Sequence, residues 1–588
     1  MANIDNRNEW AIEDIYSSES EWQKDYEKAE SMLGFSEFEG KLAEADVFYA
    51  CLKKQEEVGR IIEKLCVYAM MRHDVNTKDA TGDELYARAM SLSVKFSSNT
   101  SFITPELLSL DDGVINGYIG DERFADYDYS LKCLLKEKEH VLSKEQEKLL
   151  ADCGETFSSF KEIFTKIDNA DIKFGSVKST SGERVPLTHG TYGVILHGED
   201  RELRKKAFKK YYKKYAELIN TIASTYYGNV KKNVLVAKTR KHKSVLEMAL
   251  LSEDVDEKVY KKLITSVEKA LPTLHEYISY KKKCLGVDEF YMYDMYAPIT
   301  KDAELKLEYD DAYQLVIDGL TPYLGEEYGA LLKKAKDERW ISVYETEGKR
   351  SGAYSVAVFD THPYVLLNYQ KTTHDVFTIA HELGHALHSY FSNGAQPYAK
   401  ADYRIFVAEV ASTVNEVLLI KHLIKTATDK DLKKYLSCYL MEMIRTTLFR
   451  QTQFSEFEFF AHGLVENGQP LNHKNLSEKY LELNKKYYGD AVNHGDEIKY
   501  EWARIPHFYR AFYVYKYATG IISALSIAQR IESEGERARA DYFKFLSSGG
   551  SDSPTELLKL AGVDLTPDEP YERAFKIFEE TLEELTTV

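Results

Sequence analysis

The chain has 588 residues, of which 44% are hydrophobic and 29% charged, a composition that supports several globular cores. Its formal net charge of −18 argues against nucleic acid or an anionic membrane surface as a partner. No run approaches the roughly 18 apolar residues that a membrane span requires. The sequence opens on Met1-Ala2-Asn3-Ile4-Asp5-Asn6-Arg7, which is polar and has no apolar signal core. Cys51, Cys66, Cys133, Cys153, Cys284 and Cys438 are scattered without a CxxC pair, as expected of thiols in a reducing compartment. Together these features point to a cytoplasmic protein.

From about residue 20 to 165 apolar residues recur at helical spacing, for example Val58, Ile61, Ile62, Leu65 and Ala69. Residues 172–197 differ: Ile172-Lys173-Phe174 and Tyr192 to Leu196 flank glycine and serine turns, which predicts a small hairpin or irregular patch. The helical pattern resumes at Arg201 and continues through Lys241. A boundary is therefore expected near residue 200, dividing an N-terminal helical domain (1–200) from the remainder (201–588). Between Trp340 and Tyr369, Ile341–Val343, Ala353–Val358 and Tyr364–Tyr369 read as three short strands. The fold class expected is mainly α, with a small β-sheet directly before a long buried helix.

That helix carries His381-Glu382-Leu383-Gly384-His385. Residues four apart share a helix face, so two imidazoles can grip one metal ion, with the glutamate beside the first positioned to reach a water. Three fixed positions in five also occur by chance on a surface helix. Here, however, Val376, Phe377, Ile379, Ala380, Leu383, Ala386 and Leu387 describe a helix buried over a wide face. Gly384 sits inside it although glycine costs about 1 kcal/mol relative to alanine there, which points to a close backbone or ligand approach.

A catalytic zinc site needs a third protein ligand and an open position for water. A second buried helix is expected around Phe406 to Glu416, joined to the first through the stretch Ser392 to Asp402. Antiparallel packing would bring Glu409, flanked by Val407, Ala408, Val410 and Ala411, beside the histidines. The alternative is a core glutamate paired with a lysine or arginine. Glu416, two turns on, is either an acceptor for a histidine N–H or an ordinary surface acid.

The segment His381 to His388, followed by Glu409 within Val407 to Ser412, resembles the thimet oligopeptidase family. Its oligoendopeptidase F branch is resembled further by Gly348 to Ser355, by Ile505 to Gly520 and by Trp10 to Tyr16, so that the likeness runs from near residue 10 to the C-terminal end. The resemblance implies two mainly helical halves around a deep channel, with residues 201–588 as the catalytic domain. It implies a zinc endopeptidase for short unfolded peptides, with one zinc on His381, His385 and Glu409. Zinc-activated water would attack with Glu382 as general base. Gly352, Ala353 and Tyr354 would form a substrate-binding edge strand, against the plainer reading of an edge strand with a glycine bend. His507, Tyr513 and Tyr515 would bind the oxyanion, with Tyr509 in reserve as a substrate contact, although a tyrosine stripe is more often packing. Two rivals share the motif: a protease with an open cleft for whole proteins, and a catalytically idle, zinc-dependent peptide-binding protein.

Overall fold

Helices dominate the computed structural model, which describes residues 8–300 and 303–587; the polar opening Met1 to Arg7 lies outside the described residues. The period at Val58, Ile61, Ile62, Leu65 and Ala69 belongs to one helix, α1 (Ala45–Val75), and all five side chains are buried. Within 172–197 a hairpin does form, from β1 (Ser176–Lys178) and β2 (Arg184–Pro186), paired antiparallel. Tyr192 to Leu196, expected to flank it in extended form, are instead helical, in α2 (His189–His197). The cause is local. The Thr188 hydroxyl accepts the Thr191 N–H at 3.1 Å and the Thr191 hydroxyl accepts the Thr188 N–H at 2.8 Å, a reciprocal cap that starts a helix. Five apolar residues without a clear period could not distinguish the two states. Asp200 then caps the 39-residue α3 (Arg201–Thr239) through the Leu203 N–H.

The three strands expected between 340 and 369 are present as β3 (Ile341–Ser342), β4 (Tyr354–Val356) and β5 (Tyr364–Leu366). They form one sheet with β5 in the centre, parallel to β3 and antiparallel to β4. Tyr354 lies opposite Leu366 and Val356 opposite Tyr364, so β4 is an edge strand. Trp10 packs on this sheet, 6.3 Å from the Tyr354 ring and edge-on to Tyr364 at 6.4 Å, and joins it to the core of the N-terminal helices. Four more helices carry the residues discussed below: α4 (Thr373–Ala395), α5 (Ile405–Thr426), α6 (Arg450–Glu466) and α7 (Tyr515–Glu534).

The chain forms two compact units, each assembled from three segments. One comprises Met1–Glu139, Glu304–Leu423 and Ile527–Asp564; the other comprises His140–Ala303, Ile424–Ser526 and Leu565–Val588. These units cut the chain differently from the division at residue 200, which falls inside the second. The sheet β3–β5, α4 and the motif-bearing part of α5 lie in the first unit; α3, α6 and the segment from His507 to Tyr517 lie in the second. Among the described residues no helix is long and apolar enough to cross a membrane.

Candidate active site

Helix α4 starts at a capping box, in which Thr372 accepts the Asp375 N–H and the Asp375 carboxylate accepts the Thr372 N–H. It runs one turn further than expected, to Ala395, before the short helix Tyr398–Ala401. Helix α5 packs against it in antiparallel fashion: the Asn415 amide donates to Ala380 O at 3.0 Å, and Gly384 faces Ser412. The contact at Gly384 is backbone on backbone. A Cβ there would lie 2.5 Å from Ser412 Cα and 2.8 Å from both Ala411 O and Ser412 N. Gly384→Ala is therefore expected to force the helices apart. Overpacking of about 1–3 kcal/mol should exceed the roughly 1 kcal/mol gained in helix propensity. Thermal unfolding and metal content of the purified variant check this: both should fall, and a variant matching the parent in both would refute it.

The close approach brings three donors together. His381 Nε2 and His385 Nε2 are 3.2 Å apart, and Glu409 Oε2 lies 3.4 Å from the first and 3.5 Å from the second. Ligand atoms arranged tetrahedrally around an ion at about 2.0–2.1 Å are separated by about 3.3–3.4 Å, so the side chains fit such an ion as they stand. Among the described residues this is the one His/Cys/Asp/Glu cluster with metal-holding geometry. Glu416 takes the other side of the first imidazole, with its Oε2 3.1 Å from His381 Nδ1. An Nδ1–H donated to that carboxylate leaves Nε2 free to ligate.

Electrostatics agree with a cationic occupant. Burial alone would favour a neutral His381, but the Glu409 and Glu416 carboxylates outweigh it and raise its pKa to about 10. Burial opposes ionisation of Glu409 too, yet the two histidines hold it well below the usual carboxylate range. Glu382 is 7% exposed, and burial raises its pKa against the opposing pull of His381 and His385. His388, the third histidine of the helix, is no part of this cluster. It is buried, stacks on Tyr403 at 3.8 Å, and is pushed down to about 3 by burial.

Sequence reading missed two polar groups of α5, one that steadies the Glu409 carboxylate from within the helix and one that ties α5 to α4. Ser412 donates to Glu409 Oε2 at 3.3 Å, and Asn415 both holds Ala380 O and accepts from the Tyr328 hydroxyl at 2.9 Å. Both are fully buried polar residues among the apolar side chains of α5. That signal is visible in the sequence, since such groups require partners.

The edge strand begins only at Tyr354, which is half-buried; Gly352, with φ +90 and an open side, and the exposed Ala353 lead into it as a bend, because the left-handed backbone at Gly352 departs from extended geometry. The Tyr354 hydroxyl and the Arg350 guanidinium both donate to the buried Asp74 carboxylate, at 2.9 and 3.0 Å. The Asn368 amide clamps Arg350 O and Gly352 O at 2.9 and 2.7 Å, fixing the approach to the strand.

In the second unit the expected donors divide by environment. His507 is exposed and Tyr513 half-buried, with their rings nearly parallel at 6.3 Å. Tyr517, half-buried, meets both edge-on, and the Arg510 guanidinium lies 3.9 Å over Tyr513. Burial and Arg510 lower the pKa of His507. Tyr515, by contrast, is 1% exposed and packs on Tyr260. Tyr509 is also buried; it stacks on Phe164 at 4.6 Å and donates its hydroxyl to Thr225 at 3.1 Å.

Residues 194–577 match the family model described as Peptidase family M3, and residues 106–174 the one described as Oligopeptidase F. Oligopeptidase PepF of Bacillus subtilis is 41% identical over 579 residues, covering 98% of this chain and 86% of the relative. An oligoendopeptidase F homolog of Borreliella burgdorferi is 37% identical over 588 residues, covering 100% and 99%. The crystal structure of oligoendopeptidase-F from Enterococcus faecium matches with a TM-score of 0.72 at 35% identity, covering 97% of this chain and 99% of that one. A solved Chlamydophila abortus protein matches with a TM-score of 0.95 at 34% identity, covering 100% and 99%. With these likenesses added to the His-Glu-x-x-His helix and its glutamate partner, the chain belongs to peptidase family M3 and is a metallo-endopeptidase of the oligoendopeptidase F kind.

Proposed function

We propose that this enzyme is a zinc-dependent endopeptidase hydrolysing internal bonds of short, unfolded oligopeptides. The observation that carries the proposal is the tetrahedral spacing of His381 Nε2, His385 Nε2 and Glu409 Oε2, with Glu382 next to the first ligand. These three residues would hold the zinc. When bound, the metal supplies Lewis acidity, polarising the scissile carbonyl and acidifying water. Glu382 accepts the proton of the attacking water and later delivers it to the leaving amine. Its burial makes it a stronger base than an exposed carboxylate, because ionisation is disfavoured there. Glu416 keeps the proton of His381 on Nδ1.

The edge of β4 from Tyr354, with Gly352 and Ala353 leading into it, offers backbone groups to an extended peptide, and the absent side chain at 352 permits close approach. His507 and Tyr513 donate to the oxyanion of the tetrahedral intermediate; the interior Tyr509 and Tyr515 hold their segment in place. Tyr513→Phe is accordingly expected to lower kcat by about 10²-fold with KM nearly unchanged, because a donor aimed at the oxyanion serves the transition state alone. Steady-state kinetics of the variant with full metal content measure this, and an unaltered kcat would remove Tyr513 from the reaction. A cytoplasmic setting fits the six cysteines, none of which is paired with another.

Restriction to oligopeptides is tested by digesting a folded protein and a matched ten-residue peptide side by side. The peptide should be cut and the folded protein left intact. Comparable cutting of both would mean a protease of whole proteins, and a peptide that binds but stays uncut would mean a binding protein.

A further inference from the structure

Glu458, in the middle of α6, is fully buried at 0% exposure. Its Oε1 accepts the Phe512 N–H at 3.1 Å, and its Oε2 meets no hydrogen-bond donor among the described residues. Burial pushes this carboxyl far above the usual carboxylate range. A fully buried acid whose single hydrogen bond goes to one backbone amide serves that amide.

The amide belongs to an unusual residue. Phe512 has φ +51, in the left-handed region that bulky side chains avoid. Glycine would relieve the backbone but would lose the ring, which is 3% exposed and packs edge-on to Tyr260 at 5.6 Å and against His462 at 4.8 Å. His462 is itself tied to the same helix turn: its Nδ1 lies 2.9 Å from Glu458 O and its Nε2 3.2 Å from the Asn233 amide. The left-handed turn at Phe512 lies between Arg510 and Tyr513, and its shape sets the direction in which Tyr513 leaves the segment, under Arg510 and alongside His507.

We propose that Glu458 is the positioning residue of the His507–Tyr513 turn: by accepting the Phe512 N–H from inside α6 it holds a strained backbone conformation that orients both rings. The link to catalysis rests on the reading above, in which His507 and Tyr513 face the substrate carbonyl. Glutamine supplies the same acceptor without charge, whereas methionine fills similar volume and supplies none.

The test compares Glu458→Gln and Glu458→Met in the metal-loaded full chain, by hydrogen–deuterium exchange over residues 507–517 and by steady-state kinetics. In Glu458→Met exchange at the turn should quicken about tenfold or more, and kcat should fall about tenfold with KM within about twofold. Glu458→Gln should stay within about twofold of the parent in every readout. Unchanged exchange in Glu458→Met, or equal damage in Glu458→Gln, would overturn the proposal. Faster exchange with an unchanged kcat would uphold the positioning role and overturn instead the oxyanion role of His507 and Tyr513. Should Glu458→Met fail to fold, Glu458→Leu removes the same acceptor and is read the same way.

Discussion

Glu382→Gln should lose about 10²–10⁴-fold in turnover while keeping its metal. The substitution preserves shape and removes the ability to accept a proton. His381, His385 and Glu409, the three donors at metal-binding spacing, are untouched. Glu382 forms no part of that triangle, and at 7% exposure the added amide protons do not alter the surface. Peptide affinity should also persist, because the substitution leaves Gly352, Ala353 and Tyr354, the proposed peptide-pairing residues, unchanged. The measurement is kcat on a short peptide, paired with metal analysis of the same preparation. Near-normal turnover by a fully loaded variant would remove Glu382 from the proton transfer and send the search for the base elsewhere.

The second large effect is on the metal itself. Glu409→Ala deletes one of three donors and the only carboxylate among them, leaving two histidine ligands and no anionic one. Glu416→Ala leaves all three donors in place but frees the His381 ring to rotate and to change tautomer. Loss of such an outer partner typically weakens metal affinity by about 10–100-fold, and loss of a ligand should weaken it further. Metal content after dialysis against a graded series of chelators ranks the variants. The order should be parent, then Glu416→Ala, then Glu409→Ala. Full retention by Glu409→Ala would mean that the third ligand is another residue.

What was legible in the sequence followed from helical spacing. Two histidines four residues apart, a glycine between them and a carboxylate in an apolar run led to the pair α4 and α5, and Glu416 emerged from the same periodicity on the second helix. The strands before α4 were legible because alternating and β-branched residues end abruptly at turns. Less could be read where spacing does not separate faces. In the segment after Pro506, tyrosines fall close enough together to point every way, and only the fold shows that Tyr515 and Tyr509 pack inward while His507 and Tyr513 do not. The assembly of each unit from three distant segments has no local signal at all, since the contacts that define it are long-range. At 192–196 the capping threonines outweighed an apolar run, a reminder that the start of a helix is set by its cap as much as by its faces.

The most direct test of the central claim is cleavage mapping by mass spectrometry on a mixture of random short peptides. The mapping is done with the parent protein as purified, after chelation, and after zinc is restored. Metal content is read at each stage. Internal cuts should appear with roughly one equivalent of zinc bound, vanish with the metal, and return with it at the same bonds. Cutting that persists in the metal-free protein, or zinc that binds and restores nothing, would contradict a zinc peptidase built on His381, His385 and Glu409.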